Sequence, residues 1–221
     1  MYRVLGVLLT GLCASALAQA HFPFIVPEED GTSAKVVFSD SLVPDTAVKI
    51  EKLDGTKLFL RDGGGKDSPL EWKKGEGFYE VKLPGSGPRV VYGVTEYGVL
   101  QKGDAKPFRL VYFPKALVGG AAGKEIGGAL KVEIVPATQV DKMRFLIVHA
   151  GKPVADAEVT ILVPGEEKKT AKTDKDGFTP AYAAKGRYGV FARVTESKTG
   201  EFAGKKYDET RFYATLVMDV K

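Results

Sequence analysis

The chain has two histidines, His21 and His149, and the position of the first raises a question of chemistry. His21 follows Ala18-Gln19-Ala20, a small-x-small sequence of the kind a signal peptidase cuts. If the cut falls there, the mature chain begins with histidine, and its α-amine and imidazole Nδ1 can close a chelate ring on one ion. A terminal amine has a pKa of about 7.7–8.0, so it releases its proton to a metal more readily than a lysine does. Nitrogen donors of this kind suit copper, nickel, cobalt or zinc rather than calcium or magnesium. Pro23 has no amide hydrogen, so ligation by backbone nitrogens stops at Phe22. The bland alternative is a solvated terminus on which cleavage merely leaves a histidine.

His149 is the natural second ligand. It ends the stretch "MRFLIVH" on the face of Phe145 and Ile147, just before a turn at Gly151. The competing reading is a half-buried histidine that closes a core face. Asp174-Lys175-Asp176-Gly177 has the look of a calcium loop, but that loop needs glycine at its sixth position and a glutamate at its twelfth. Glycine at the fourth position reads as a turn between strands. "GGAAGKE" (119–125) imitates a phosphate-binding loop, yet its glycine interval is one residue short and Glu125 stands in place of Ser or Thr.

Catalytic constellations are missing from the sequence. The single cysteine, Cys13, leaves with the signal, there is no Gly-x-Ser-x-Gly elbow, and no carboxylates are paired by spacing. A copper-dependent oxidase would need a second imidazole, which only His149 could give. Phe22, Phe24, Trp72, Tyr92, Tyr97, Tyr112 and Phe113 fall at strand spacing and read as core rather than as a carbohydrate platform.

The elements that must position these residues are strands. Residues 1–20 read as a signal peptide, with Arg3 followed by an apolar run from Val4 to Leu12 that is too short to span a bilayer. Leu12 stands where lipid attachment to Cys13 would want a small residue, so the mature chain, 21–221, is expected to be periplasmic or secreted, without disulfides or a transmembrane segment. Its net charge falls from +4 to +3 on losing Arg3, with lysines interleaved among acids, which argues against nucleic acid as a partner. Helical periodicity is nearly absent. Strands are expected at 34–40, 47–53, 56–61, 89–100 and 106–114, with Asp54-Gly55 as a two-residue hairpin turn. "GFYEVKLPG" alternates Tyr79, Val81 and Leu83 against Glu80 and Lys82. A Gly/Ala-rich loop (115–130), the stretch "LKVEIVP" and Pro136 come next, and a domain boundary is placed at 138/139. Beyond it, strands and turns recur at the spacing of an antiparallel sandwich, and "TRFYATLVMDV" (210–220) closes the sheet. The fold class is therefore all-β: two packed antiparallel, Ig-like sandwich modules, 21–138 and 139–221.

With these residues laid out, the chain resembles an exported, uncharacterised-domain family often labelled as the substrate-specific component of nickel or cobalt uptake. The resemblance rests on "AHFPFIVPE", "YGVLQKGDAKPFRLVYFPKAL", "GKPVADAEVTILVPG", "TDKDGF" and "RFYATLVMDV". The C-terminal part is also similar to transthyretin-like sandwich domains. The resemblance implies a periplasmic sandwich whose N-terminal histidine helps to bind nickel, cobalt or copper and hands the ion to a membrane transporter. The family pattern often has a histidine before the tyrosine of the closing strand, where this chain has Phe212. The expected function is thus transition-metal binding through His21, with His149 as second ligand. The alternative is a non-catalytic envelope module that binds a protein or glycan.

Overall fold

The computed structural model describes residues 21–121 and 125–221, so the signal-peptide expectation for 1–20 lies outside the described residues. The chain is built from strands, and the all-β class holds. A central eight-stranded sheet runs in the order β13 (Lys169–Lys172), β12 (Glu158–Leu162), β14 (Gly186–Glu196), β17 (Glu209–Val220), β8 (Phe108–Val118), β7 (Arg89–Leu100), β3 (Lys57–Arg61) and β4 (Asp67–Leu70). A second sheet holds β1 (Phe22–Pro27), β2 (Ser33–Ser39), β6 (Phe78–Lys82) and β5 (Trp72–Lys74). A third holds β11 (Lys152–Pro153), β10 (Lys142–His149) and β9 (Val132–Gln139), and β15 (Gly200–Phe202) pairs with β16 (Lys205–Tyr207) as a separate hairpin.

The central sheet is apolar on both faces, and each face carries a core. Alternation along β8 sends Val111, Phe113 and Leu117 into one core, and Leu110, Tyr112 and Ala116 into the other. The first core is completed by β9 and β10 through Val132, Ile134, Phe145 and Ile147. The second is completed by β1, β2 and β6 through Phe24, Val36, Val37 and Val81. Two sandwiches therefore share one middle layer. Burial on both faces explains why β8 reads as a nearly continuous apolar run.

The division at 138/139 does not separate sheets. It falls at the end of β9, whose pairing with β10 runs from Val132↔His149 to Gln139↔Lys142. Strand β8, from before the division, lies parallel to β17, from after it, with Phe108 opposite Glu209 and Ala116 opposite Val217. That parallel seam is the one departure from antiparallel pairing among the described strands.

Two local expectations are corrected. Residues 47–53 are not a strand: Ile50–Leu53 form a 3-10 turn, which brings the buried Ile50 and Leu53 to one side at its three-residue period. Asp54 has φ −54°, so Asp54-Gly55 is not a hairpin turn with two positive-φ residues. That conformation occurs instead at Val140 (φ 43°) and Asp141 (φ 59°), between β9 and β10.

The Gly/Ala-rich stretch is also only partly loop, because β8 continues to Val118 and buries Lys115. Lys115 Nζ donates to Glu133 Oε1 at 2.7 Å, with the two side chains 1% and 3% exposed. Glu133 further accepts the amides of Ile126 and Gly127, which ties the loop to β9. Burial holds the Lys115 ammonium below its ordinary pKa, against the opposing pull of Glu133.

Candidate functional site

The first described residue, His21, is held in place by its neighbours in β1. Phe22 stacks on Phe191 with ring centroids 4.1 Å apart and leans on Tyr213 at 5.2 Å. Thr215 Oγ1 donates to the buried Pro23 carbonyl at 2.7 Å. Strand β1 is thus pinned to the central sheet, and His21 projects from its pinned end.

Asp45 fixes the imidazole. Its Oδ2 lies 2.8 Å from His21 Nε2, while its Oδ1 accepts the Ala47 amide at 2.9 Å in a local turn. The hydrogen bond from His21, and then the one from Ala47, hold the Asp45 carboxyl below its usual pKa, so it is ionised and accepts. In the neutral imidazole that contact puts the proton on Nε2 and leaves the lone pair on Nδ1. Nδ1 is the nitrogen that would share a chelate with the residue's own amine in a chain cut before His21. Carboxylates orient metal-binding histidines in this way.

Beside His21 opens a cavity of about 390 Å³. Its aromatic walls include Phe38, Tyr97, Tyr112 and Tyr213, and Lys52, Lys102 and Arg211 supply positive charge. The His21 and Phe38 rings are 5.9 Å apart, and Tyr97 meets Tyr112 edge to face at 5.6 Å. Burial raises the hydroxyl pKa of both Tyr97 and Tyr112, so both stay neutral, and Tyr112 donates to the His21 carbonyl at 3.5 Å. Arg211 stacks on Phe108 and pairs with Glu209 at 2.7 Å, whereas Lys52 and Lys102 have no ion-pair partner among the described residues.

The structure does not bring the two histidines together. Successive residues of β17 point to opposite faces. Tyr213 lines the His21 cavity, while Phe212 packs against His149 with centroids 5.7 Å apart. His149 is therefore a core-edge residue, and the two-histidine site expected from the sequence is replaced by His21 with Asp45. Burial, reinforced by Lys131, lowers the His149 pKa, and its Nε2 has no partner among the described residues. A histidine at position 212 would stand beside His149, so the departure at Phe212 removes nothing from the His21 cavity. Among the described residues, no group of three or more His, Cys, Asp or Glu side chains is gathered as a metal site.

The remaining sequence candidates are structural. Asp174 Oδ1 accepts the amides of Asp176 and Phe178, each at 2.9 Å, and so builds its own turn. Gly177 has φ 82°, and a Cβ there would meet Pro153 Cβ at 2.9 Å. Sequence reasoning missed Asp45, Lys52 and Lys102, and it assigned Tyr97 and Tyr112 to core alone. No spacing announces a contact between His21 and a loop residue that sits 24 positions later.

A family model described as "Domain of unknown function (DUF4198)" matches residues 18–196, and the chain belongs to that family. No curated protein matches the sequence. Among solved structures, a two-domain fibronectin type III segment of chicken tenascin is 12% identical, with 88% of this chain and 97% of that one covered, at a TM-score of 0.22. The D0-D1 domain of intimin is 15% identical, covering 85% and 89%, also at 0.22. A bacterial ice-binding adhesin is 12% identical, covering 92% and 66%, at 0.21. At such scores the fold rests on the strand pairing described above.

Proposed function

We propose that this DUF4198 chain is a non-catalytic binding module of the cell envelope, whose recognition surface is the cavity beside His21. The observation that carries this reading is the cavity itself. It joins aromatic walls, two neutral phenols and two lysines without an ion-pair partner among the described residues, on a rigid sheet and with no nucleophile–base pair among its lining residues. Its volume falls within the roughly 300–1,000 Å³ of small-molecule sites, so it suits a small ligand or the end group of a glycan or protein. The exported mature chain, labelled and titrated with envelope glycans and proteins, tests the reading. Tyr97→Ser should abolish capture, whereas the remote surface change Lys175→Ala should not. Equal capture by both variants would remove the cavity from recognition.

A second reading, transition-metal capture by His21, is favoured by one observation: the Asp45 carboxylate on Nε2 leaves Nδ1 free to chelate. Nickel, cobalt or copper would then be cargo held by Nδ1 and the terminal amine, for delivery to a transporter. A Gly-Ser extension before His21, or His21→Ala, should weaken binding sharply, while His149→Ala should leave it unchanged. If the authentic and extended termini bind each metal equally, the amine is not a ligand and this reading falls.

A further inference from the structure

The two readings share one place, and their electrostatics constrain the ligand. His21 can supply two nitrogens, Asp45 is engaged with Nε2, and the described residues gather no further donor set. First-row divalent ions commonly take four or more donors. At least two positions must therefore be filled from outside the protein. The adjoining cavity carries Lys52 and Lys102, which have no acidic partner among the described residues, together with Arg211, and this is a poor surrounding for a bare dication. The same cations and the Tyr97 hydroxyl suit carboxylate oxygens, and the aromatic walls suit a carbon skeleton.

We propose that the cavity and His21 together take a transition-metal ion already complexed by a small organic carboxylate. The ion sits on the His21 nitrogens, and the carboxylate arms of the chelator extend into the cavity toward Lys52, Lys102 and the hydroxyl of Tyr97. The proposal rests on the metal reading of His21. It adds the substrate class: a neutral or anionic chelate in place of the hydrated ion. Electrostatic attraction of such a chelate to a cationic mouth also predicts salt-sensitive capture.

The test titrates the mature protein, with an authentic His21 terminus, against nickel alone, citrate alone and a preformed nickel–citrate complex. The complex should bind at least tenfold more tightly than nickel alone. The double variant Lys52→Glu/Lys102→Glu should lose that tenfold gain while keeping the affinity for nickel alone. Both lysines are exposed, and unchanged melting would verify that the variant folds. His21→Ala should abolish binding of nickel in either form. Equal affinities for nickel and for nickel–citrate would overturn the proposal and leave the metal reading standing. Citrate bound equally well with and without nickel would overturn it in favour of a plain anion site. Nickel binding that ignores His21→Ala would sink the metal reading, and the proposal with it.

Discussion

Replacing Lys115 by methionine should be among the most damaging single changes available to this protein. The Lys115 and Glu133 side chains are 1% and 3% exposed, and their charges meet at 2.7 Å. Methionine keeps the length of the lysine stem and removes the charge. The Glu133 carboxylate would retain the Ile126 and Gly127 amides but lose the cation that faces it. Breaking a buried pair in this way costs about 3–5 kcal/mol, because the remaining charge stays desolvated and uncompensated. With a urea m-value of about 2 kcal/mol/M, the unfolding midpoint should fall by roughly 2 M. The double variant Lys115→Met/Glu133→Gln removes both charges and keeps an acceptor for the loop amides, so most of the loss should return. Urea melts of Lys115→Met, Glu133→Gln, the double variant and the parent complete the cycle. A shift below about 0.5 M for Lys115→Met would mean that the pair is solvated and the reasoning wrong. If the double variant is as unstable as the single one, the loss comes from packing rather than charge.

Two further outcomes rest on His149 and Val140. His149 has a folded pKa below its unfolded one, so its stabilisation is complete above about pH 6.5 and is lost as pH falls through the folded value. The urea midpoint of the parent should therefore drop between pH 7 and pH 5 by more than that of His149→Leu; parallel curves would contradict the assignment. Val140 is 88% exposed and held at φ 43°, a conformation that costs a β-branched residue about 1 kcal/mol. Val140→Asn should raise stability by about that amount, and a fall would show that the valine side chain contributes packing.

The strands were legible in the sequence where one face is wet. Tyr79, Val81 and Leu83 alternate inward as the pattern predicts, because Glu80 and Lys82 face solvent. Strand β8 was legible as a run but not as a shared layer. Apolar residues on both faces erase the alternation that would tell which sheet lies opposite. The hairpin signals misled in both directions: Asp54-Gly55 carries the favoured residues yet serves a 3-10 turn, while Val140-Asp141 adopts the positive-φ pair with a residue that resists it. At the site, sequence singled out His21 as a placed residue and paired it with the wrong partner. A histidine on the face of Phe145 and Ile147 looked available, but that face belongs to the other core. Asp45 lies in an irregular loop, and only tertiary packing brings such a loop to the head of β1.

The position of β17 has a consequence for how the protein comes into being. The last of the described strands to be synthesised lies in the interior of the sheet, between β14 and β8, and its Thr215 ties down Pro23, 192 residues earlier. Met218 closes one core and Val217 the other. Neither half can finish folding while the 12 residues of that strand are still missing. Contacts of such sequence separation form slowly, and meanwhile β8 and β14 expose unpaired edges. A chain threaded N-terminus first across a membrane would thus stay open until β17 emerges. That would keep an exported chain competent for threading, and the same placement makes truncation near residue 209 destructive to the whole molecule rather than to one module.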